Sequence, residues 1–414
     1  MKKITKNLMM MILLGSFVVT TCANPITTMA QQQPYKDISY DLDIVSEKDW
    51  ENTDIGKYPI DVNSTVWSQL SSIETAAACD MPKKYAESLS TEELVDYAIN
   101  YPFLMDVFAF DNIADGMNHL ADKSYVFKEL FSRPDCYDKL IDEYLGMDID
   151  YTEVAVTNDV CKTSYDSELF IEEYLGLNYN SLSEDQAEKF VKEYGNKYLD
   201  MNDECRESVF STIIYDAIYE TLGEVPEDAI PDIVAEKLVN STDKSGASFT
   251  AISTTFCTIC FATQTYGTIT VHGNTVYCYN WVFGGYTPDD IIIADKYIAD
   301  LYPSFTKISS ASSKYNCHSY AWYSTSTTNT YWIDDPSPIY SNTSYWTFWQ
   351  VPMRTITSGD RITFWNNSSL QHSAVIYSST QCTSKLGHYG VYRTTISEMI
   401  SLYGATATKA YLPT

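Results

Sequence analysis

Cys317 and His372 have the residue types and surroundings for nucleophilic chemistry. A thiol attacks as its thiolate, and a helix N-terminus helps by placing partial positive charge beside the sulfur. Asn316 is a good N-cap residue. Tyr320, Ala321 and Tyr323 follow at a spacing that suits a buried helix, so Cys317 is expected in its first turn. Ser358-Gly359-Asp360 reads as a turn, and Arg361 to Trp365 as an alternating strand. The stretch from Gln371 to Tyr377 reads as a second strand that begins at His372. A hairpin of the two carries His372 on its rim, where an imidazole can take a thiol proton. His318 is a rival base, but on a helix it projects about 100° away from Cys317. Asp360 is expected to stabilise its turn, and His119 and His272 to be structural or exposed.

These residues need a scaffold. Residues 31–80 are polar and poorly periodic, which suggests an extended leader. From 81 to 240 the pattern is helical. Ser90 to Glu93 and Ser183 to Gln186 have the form of capping boxes. Leu94, Tyr97, Ala98 and Tyr101 follow the first at helical spacing, and Ala187, Phe190, Val191 and Tyr194 follow the second. Residues 241–250 read as a linker. Beyond it Thr, Ser, Tyr, Val and Ile dominate, with alternation such as Thr268-Ile269-Thr270-Val271, and one helix is expected over 288–300. The fold class is α+β: an acidic helical domain over 81–240, then an α+β domain over 251–414.

Composition narrows the function. The net charge is −28, and residues 251–414 hold 8 Lys+Arg against 8 Asp+Glu, so the whole excess of acid lies before them. Nucleic acid is an unsuitable partner for such a surface. The acidic helical domain is a candidate surface for a protein partner. Lys2, Lys3 and Lys6, the apolar run LMMMILLGSFVVT (8–20) and Thr28-Met29-Ala30 form a signal-peptide pattern over 1–30, and hence imply a secreted, extracellular protein. The run is shorter than the roughly 18–20 residues of a spanning helix, and no membrane span is expected. Cys22 leaves lipidation, and so cell-surface association, as a lesser alternative. Cys257-x-x-Cys260 has no second pair with zinc-site spacing and reads as buried or disulfide-linked.

Asn316-Cys317-His318-Ser319, then Gly359-Asp360 leading to Phe364-Trp365, then His372-Ser373-Ala374-Val375-Ile376-Tyr377 resemble the ordered motifs of the NlpC-type cell-wall peptidases, a papain-like family. Tyr315 to Trp322 and Ser384-Lys385-Leu386-Gly387 look like signatures of a clostridial branch of it. The helices over 81–145, with Tyr101-Pro102 and Phe108-Ala109-Phe110, resemble helical regions attached to that branch. The resemblance implies a papain-like domain in which a nucleophile helix packs on an antiparallel sheet. It implies Cys317 as nucleophile, His372 as base, and no cofactor or metal. The family's third polar residue, which orients the base, falls about a dozen positions after the histidine; Ser384, Lys385 and His388 are the candidates. The Cys317 backbone N–H would help hold the oxyanion. The expected activity is amide hydrolysis in peptidoglycan stem peptides or other extracellular peptides. The alternatives are a non-catalytic cell-surface binding protein on the same fold, or an acyl or amide transferase.

Overall fold

Both capping boxes close. The Glu93 N–H donates to Ser90 Oγ at 3.2 Å, and the Ser90 N–H donates to Glu93 Oε2 at 2.7 Å. Ser183 and Gln186 exchange the same pair of bonds at 3.3 and 2.8 Å, so each helix start satisfies two otherwise orphaned donors. The computed structural model describes residues 44–149, 164–200, 250–257, 262–281, 286, 288–350 and 356–414. The expected signal peptide, the helices expected beyond 200 and nearly all of the linker lie outside these residues.

The described helices before residue 200 are α1 (Glu47–Glu51), α2 (Ser72–Ala78), α3 (Lys83–Ser88), α4 (Thr91–Ile99), α5 (Ile113–Lys123), α6 (Tyr125–Ser132), α7 (Cys136–Gly146), α8 (Ser164–Leu177) and α9 (Glu184–Asp200). A 3₁₀ segment, Leu104–Ala109, joins α4 to α5. Residues 44–80 differ from the expected extended leader. They form α1, α2 and a short 3₁₀ turn, and Trp50 and Trp67 are 1% and 2% exposed. Two indole rings have too much apolar surface to leave in solvent, and that outweighs the weak periodicity around them.

A three-stranded antiparallel meander follows, with β1 (Thr250–Cys257), β2 (Ala262–Val271) and β3 (Asn274–Trp281) in that order. Ile269 and Val271 are buried while Thr270 is exposed, the alternation expected of a one-sided strand. Then come α10 (Pro288–Leu301), β4 (Thr306–Ser309), α11 (Cys317–Trp322), α12 (Ser337–Tyr340), β5 (Trp346–Gln350), β6 (Arg361–Asn366), β7 (Ser369–Ile376), β8 (Gln381–Lys385), β9 (Val391–Thr395), α13 (Ile396–Leu402) and β10 (Ala407–Pro413). Strands β4 to β10 form a seven-stranded sheet in the order β4-β9-β8-β7-β6-β10-β5, with antiparallel pairing throughout. The chain is therefore α+β. A single hydrophobic cluster runs from Trp50 through α4 to α9 and on into α10, the sheet and α13. Helices and sheet thus share one core.

Acidic groups inside that core are paired. The Tyr144 hydroxyl donates to Glu172 at 2.7 Å, and Lys197 lies 3.1 Å from Glu168. Burial, and then the Glu168 charge, push the Glu172 carboxyl well above the usual carboxylate range. The folded chain therefore keeps a proton that the unfolded chain releases near pH 4.3. Stability due to this group is present below that pH and falls as pH rises toward neutrality. Glu172→Gln is expected to flatten the fall, by up to about 1.4 kcal/mol per pH unit. Urea unfolding of both proteins at acidic and neutral pH checks it.

Candidate functional site

Asn316 fixes the start of α11. It accepts the Ser319 N–H at 3.0 Å and the Ile333 N–H at 3.2 Å on Oδ1. Its Nδ2 donates to Ile333 O at 2.8 Å and to Asp111 Oδ2 at 3.0 Å. One buried side chain thus caps the helix and ties it to the 333 loop and to the helical region. Cys317 is the first helical residue, as expected, and is fully buried. Its Sγ lies 3.6 Å from each Asp111 carboxyl oxygen and 3.5 Å from His318 Nδ1. His318 Nδ1 lies 2.8 Å from Ser373 Oγ, which also accepts the Trp322 indole N–H at 2.9 Å. His318 Nε2 lies 3.2 Å from Asp111 Oδ2.

Asp111 comes from a segment locked onto the sheet side. The Tyr389 hydroxyl donates to Met105 O at 2.7 Å, the His388 N–H to Phe108 O at 2.8 Å, and the Tyr403 hydroxyl to Ala109 O at 2.9 Å. Gly387 has φ 41°, and a Cβ there would meet Phe108 O at 2.3 Å. Only glycine admits so close a crossing.

His372 sits inside β7 opposite Phe364. Its Nε2 lies 2.6 Å from Ser384 Oγ, and Ser384 Oγ donates to Ser373 O at 2.8 Å. With its hydroxyl proton on that carbonyl, Ser384 accepts the Nε2–H. The network thus assigns the ring lone pair to Nδ1, a buried atom with no hydrogen-bond partner among the described residues. The Tyr403 ring stacks on the imidazole, with centroids 3.9 Å apart and planes at 14°.

Burial governs the protonation states. It raises the Cys317 thiol well above its ordinary value, with Asp111 adding to the shift. It raises Asp111 to about 8, with Asp334 adding, and lowers His318 to about 3. Burial thus disfavours the charged form of both partners in the Asp111–His318 contact. His372 is lowered well below its ordinary value by burial and then by His318.

Several expectations change. His372 is not on a hairpin rim; β7 begins at Ser369, and the imidazole is fully buried under Tyr403. His318 does touch the thiol, because Ser373 holds its ring against the helix start. The helix start does not deliver a ready thiolate, because desolvation of the sulfur outweighs one short helix's dipole. Among the three candidate orienters, Ser384 is on the imidazole. Strand alternation points its neighbour Lys385 elsewhere, where Nζ donates to Ser312 O at 2.7 Å and to Gly387 O. The His388 ring packs 6.1 Å from Phe108 and 4.9 Å from Trp332.

Other expectations hold. Asp360 Oδ2 accepts the Thr357 N–H at 2.8 Å, so it serves its turn. His119 is buried against Phe110, and exposed His272 stacks on Tyr345. Among the described residues the free cysteines are Cys79, Cys136, Cys278, Cys317 and Cys382, all buried. The side chains of Cys257 and Cys260 lie outside the described residues. No helix among them is long and apolar enough to cross a membrane.

Sequence spacing missed Asp111, Ser373 and Tyr403. Asp111 lies 206 residues before Cys317, and the nearest signal for it is the adjacent Phe108-Ala109-Phe110. Asp111, Cys317 and His318 can each direct one donor atom so that all lie within 4.8 Å of one another. No family model matches the chain, and neither curated proteins nor solved structures show a significant similarity to it.

Proposed function

We propose that this chain is a secreted cysteine hydrolase of the papain-like, NlpC-related type, cleaving amide bonds in peptidoglycan stem peptides or other extracellular peptides. The observation that carries the reading is the state of His372: Nε2 is held by Ser384, and Nδ1 is left as an unpartnered buried base. Cys317 opens α11, whose residues His318 and Trp322 bond to Ser373, the residue after His372. In this reading Cys317 attacks the carbonyl. His372 takes the thiol proton and returns one to the leaving amine. The Cys317 N–H, at a position with no intrahelical partner, helps hold the oxyanion. The substrate reaches the sulfur when the Asp111 segment gives way, since the thiol is fully buried beneath it. The pattern over residues 1–30 supports export.

Cys317→Ala is expected to abolish hydrolysis of peptidoglycan fragments and peptides while circular dichroism stays unchanged. Turnover at the wild-type rate in that variant overturns the reading. An amine acceptor in place of water would make the same acyl-enzyme a transferase, and product mass spectrometry with added amine separates the two. The buried, protonated thiol favours a second reading, a non-catalytic cell-surface interaction protein. Native iodoacetamide labelling that spares Cys317 throughout would support it.

A further inference from the structure

Three donors of different kinds converge where the helical region meets α11: the Asp111 carboxylate, the Cys317 thiol and the His318 imidazole. We propose that they form a zinc site, and that the bound metal holds the proposed nucleophile inactive. This rests on the hydrolase reading for its regulatory meaning but not for the binding itself.

Zinc takes sulfur, imidazole nitrogen and carboxylate oxygen in tetrahedral geometry, with bonds of about 2.0–2.3 Å. Such bonds at tetrahedral angles separate neighbouring donor atoms by about 3.3–3.6 Å. Asp111 Oδ2 lies 3.6 Å from Sγ and 3.2 Å from His318 Nε2, and one donor atom from each of the three residues lies within 4.8 Å of the others. Two of the contacts are already near tetrahedral spacing, and contraction of the set around an ion supplies the rest. The outer contacts are already those of a metal ligand set. Ser373 Oγ engages His318 Nδ1 and so leaves Nε2 facing Asp111, and Asn316 Nδ2 donates to the same carboxyl oxygen, Oδ2. Outer partners of this kind fix ring orientation and ligand basicity. Asp115, Asp334 and Asp335 surround the trio and favour a cation there, while Lys385 opposes it. On binding, the thiol proton leaves to solvent and sulfur bonds to zinc. No oxidant or reductant is involved, and electron donation to zinc lowers the sulfur's nucleophilicity.

The test uses the full chain stripped of metal, with zinc titrated against a chromogenic chelator and cobalt as a spectroscopic stand-in. One zinc per chain is expected, and cobalt should give a thiolate charge-transfer band. Cys317→Ser should lose the band. Asp111→Asn and His318→Gln should weaken binding at least as much as Ser373→Ala, for which outer-partner loss predicts about 10–100-fold. The absence of stoichiometric zinc and of the cobalt band in the wild-type protein overturns the proposal, as does unchanged affinity in folded Asp111→Asn. Peptide hydrolysis is followed separately, with and without zinc. Binding without hydrolysis in either condition would remove the hydrolase reading and leave the metal site standing. Hydrolysis with no zinc binding would do the reverse.

Discussion

Replacing His372 by alanine is expected to lower kcat/KM by about 10²–10⁴-fold, the usual contribution of a positioned general base. The loss should appear in kcat, because the ring is fully buried and offers nothing to substrate binding. Ser384→Ala should cost less. Without its hydroxyl the imidazole keeps its stacking on Tyr403 but loses the acceptor that holds the proton on Nε2. The ring can then place its proton on Nδ1, the wrong tautomer for a base. Because the folded protein holds His372 well below its ordinary value, the acid limb of the pH profile should lie below pH 6.5. Steady-state kinetics of both variants across pH check this. A His372→Ala enzyme within a factor of a few of wild type would place the base elsewhere, and His318 is then the imidazole against the thiol.

What the sequence makes readable here is local. Asn316 as a cap, Ser90 and Ser183 as helix starts, the helix after Pro288 and the Asp360 turn each depend on bonds within a few residues, and all are present. Ser384 is among the candidate orienters because the resemblance places the family's third polar residue about a dozen positions after the histidine. Asp111 was out of reach for the opposite reason. It meets Cys317 only after helices and sheet have packed, through a glycine crossing at Gly387 and three hydroxyl or amide bonds to backbone carbonyls. The protonation states depart from the local reading for a related reason. Dipole and N-cap arguments come from neighbours in sequence, whereas desolvation depends on everything packed above the site. Residues 44–80 depart from that local reading because two buried tryptophans carry little periodic signal yet a large apolar surface.

Removing the helical region so that the chain begins at about residue 250 is expected to abolish folding rather than release an active enzyme. The shared core is the reason. Phe103 packs on Tyr302, Phe110 on Tyr403, and Tyr389 bonds to Met105 O, so deletion strips one wall from the sheet side. Each large aromatic lost from such a core costs about 3–5 kcal/mol when truncated singly, against a total stability of about 5–15 kcal/mol for an ordinary domain. A few such losses exceed the whole margin. It follows that any opening over Cys317 is a local displacement of the segment carrying Asp111, with α4 to α9 still in place. The full chain should accordingly unfold in one transition, with far-ultraviolet circular dichroism and tryptophan fluorescence coincident. A soluble, cooperatively folded fragment from residue 250 onward, or two separated transitions in the full chain, would show that the helices are a removable cover. The route to the thiol would then be their departure and not the movement of one segment.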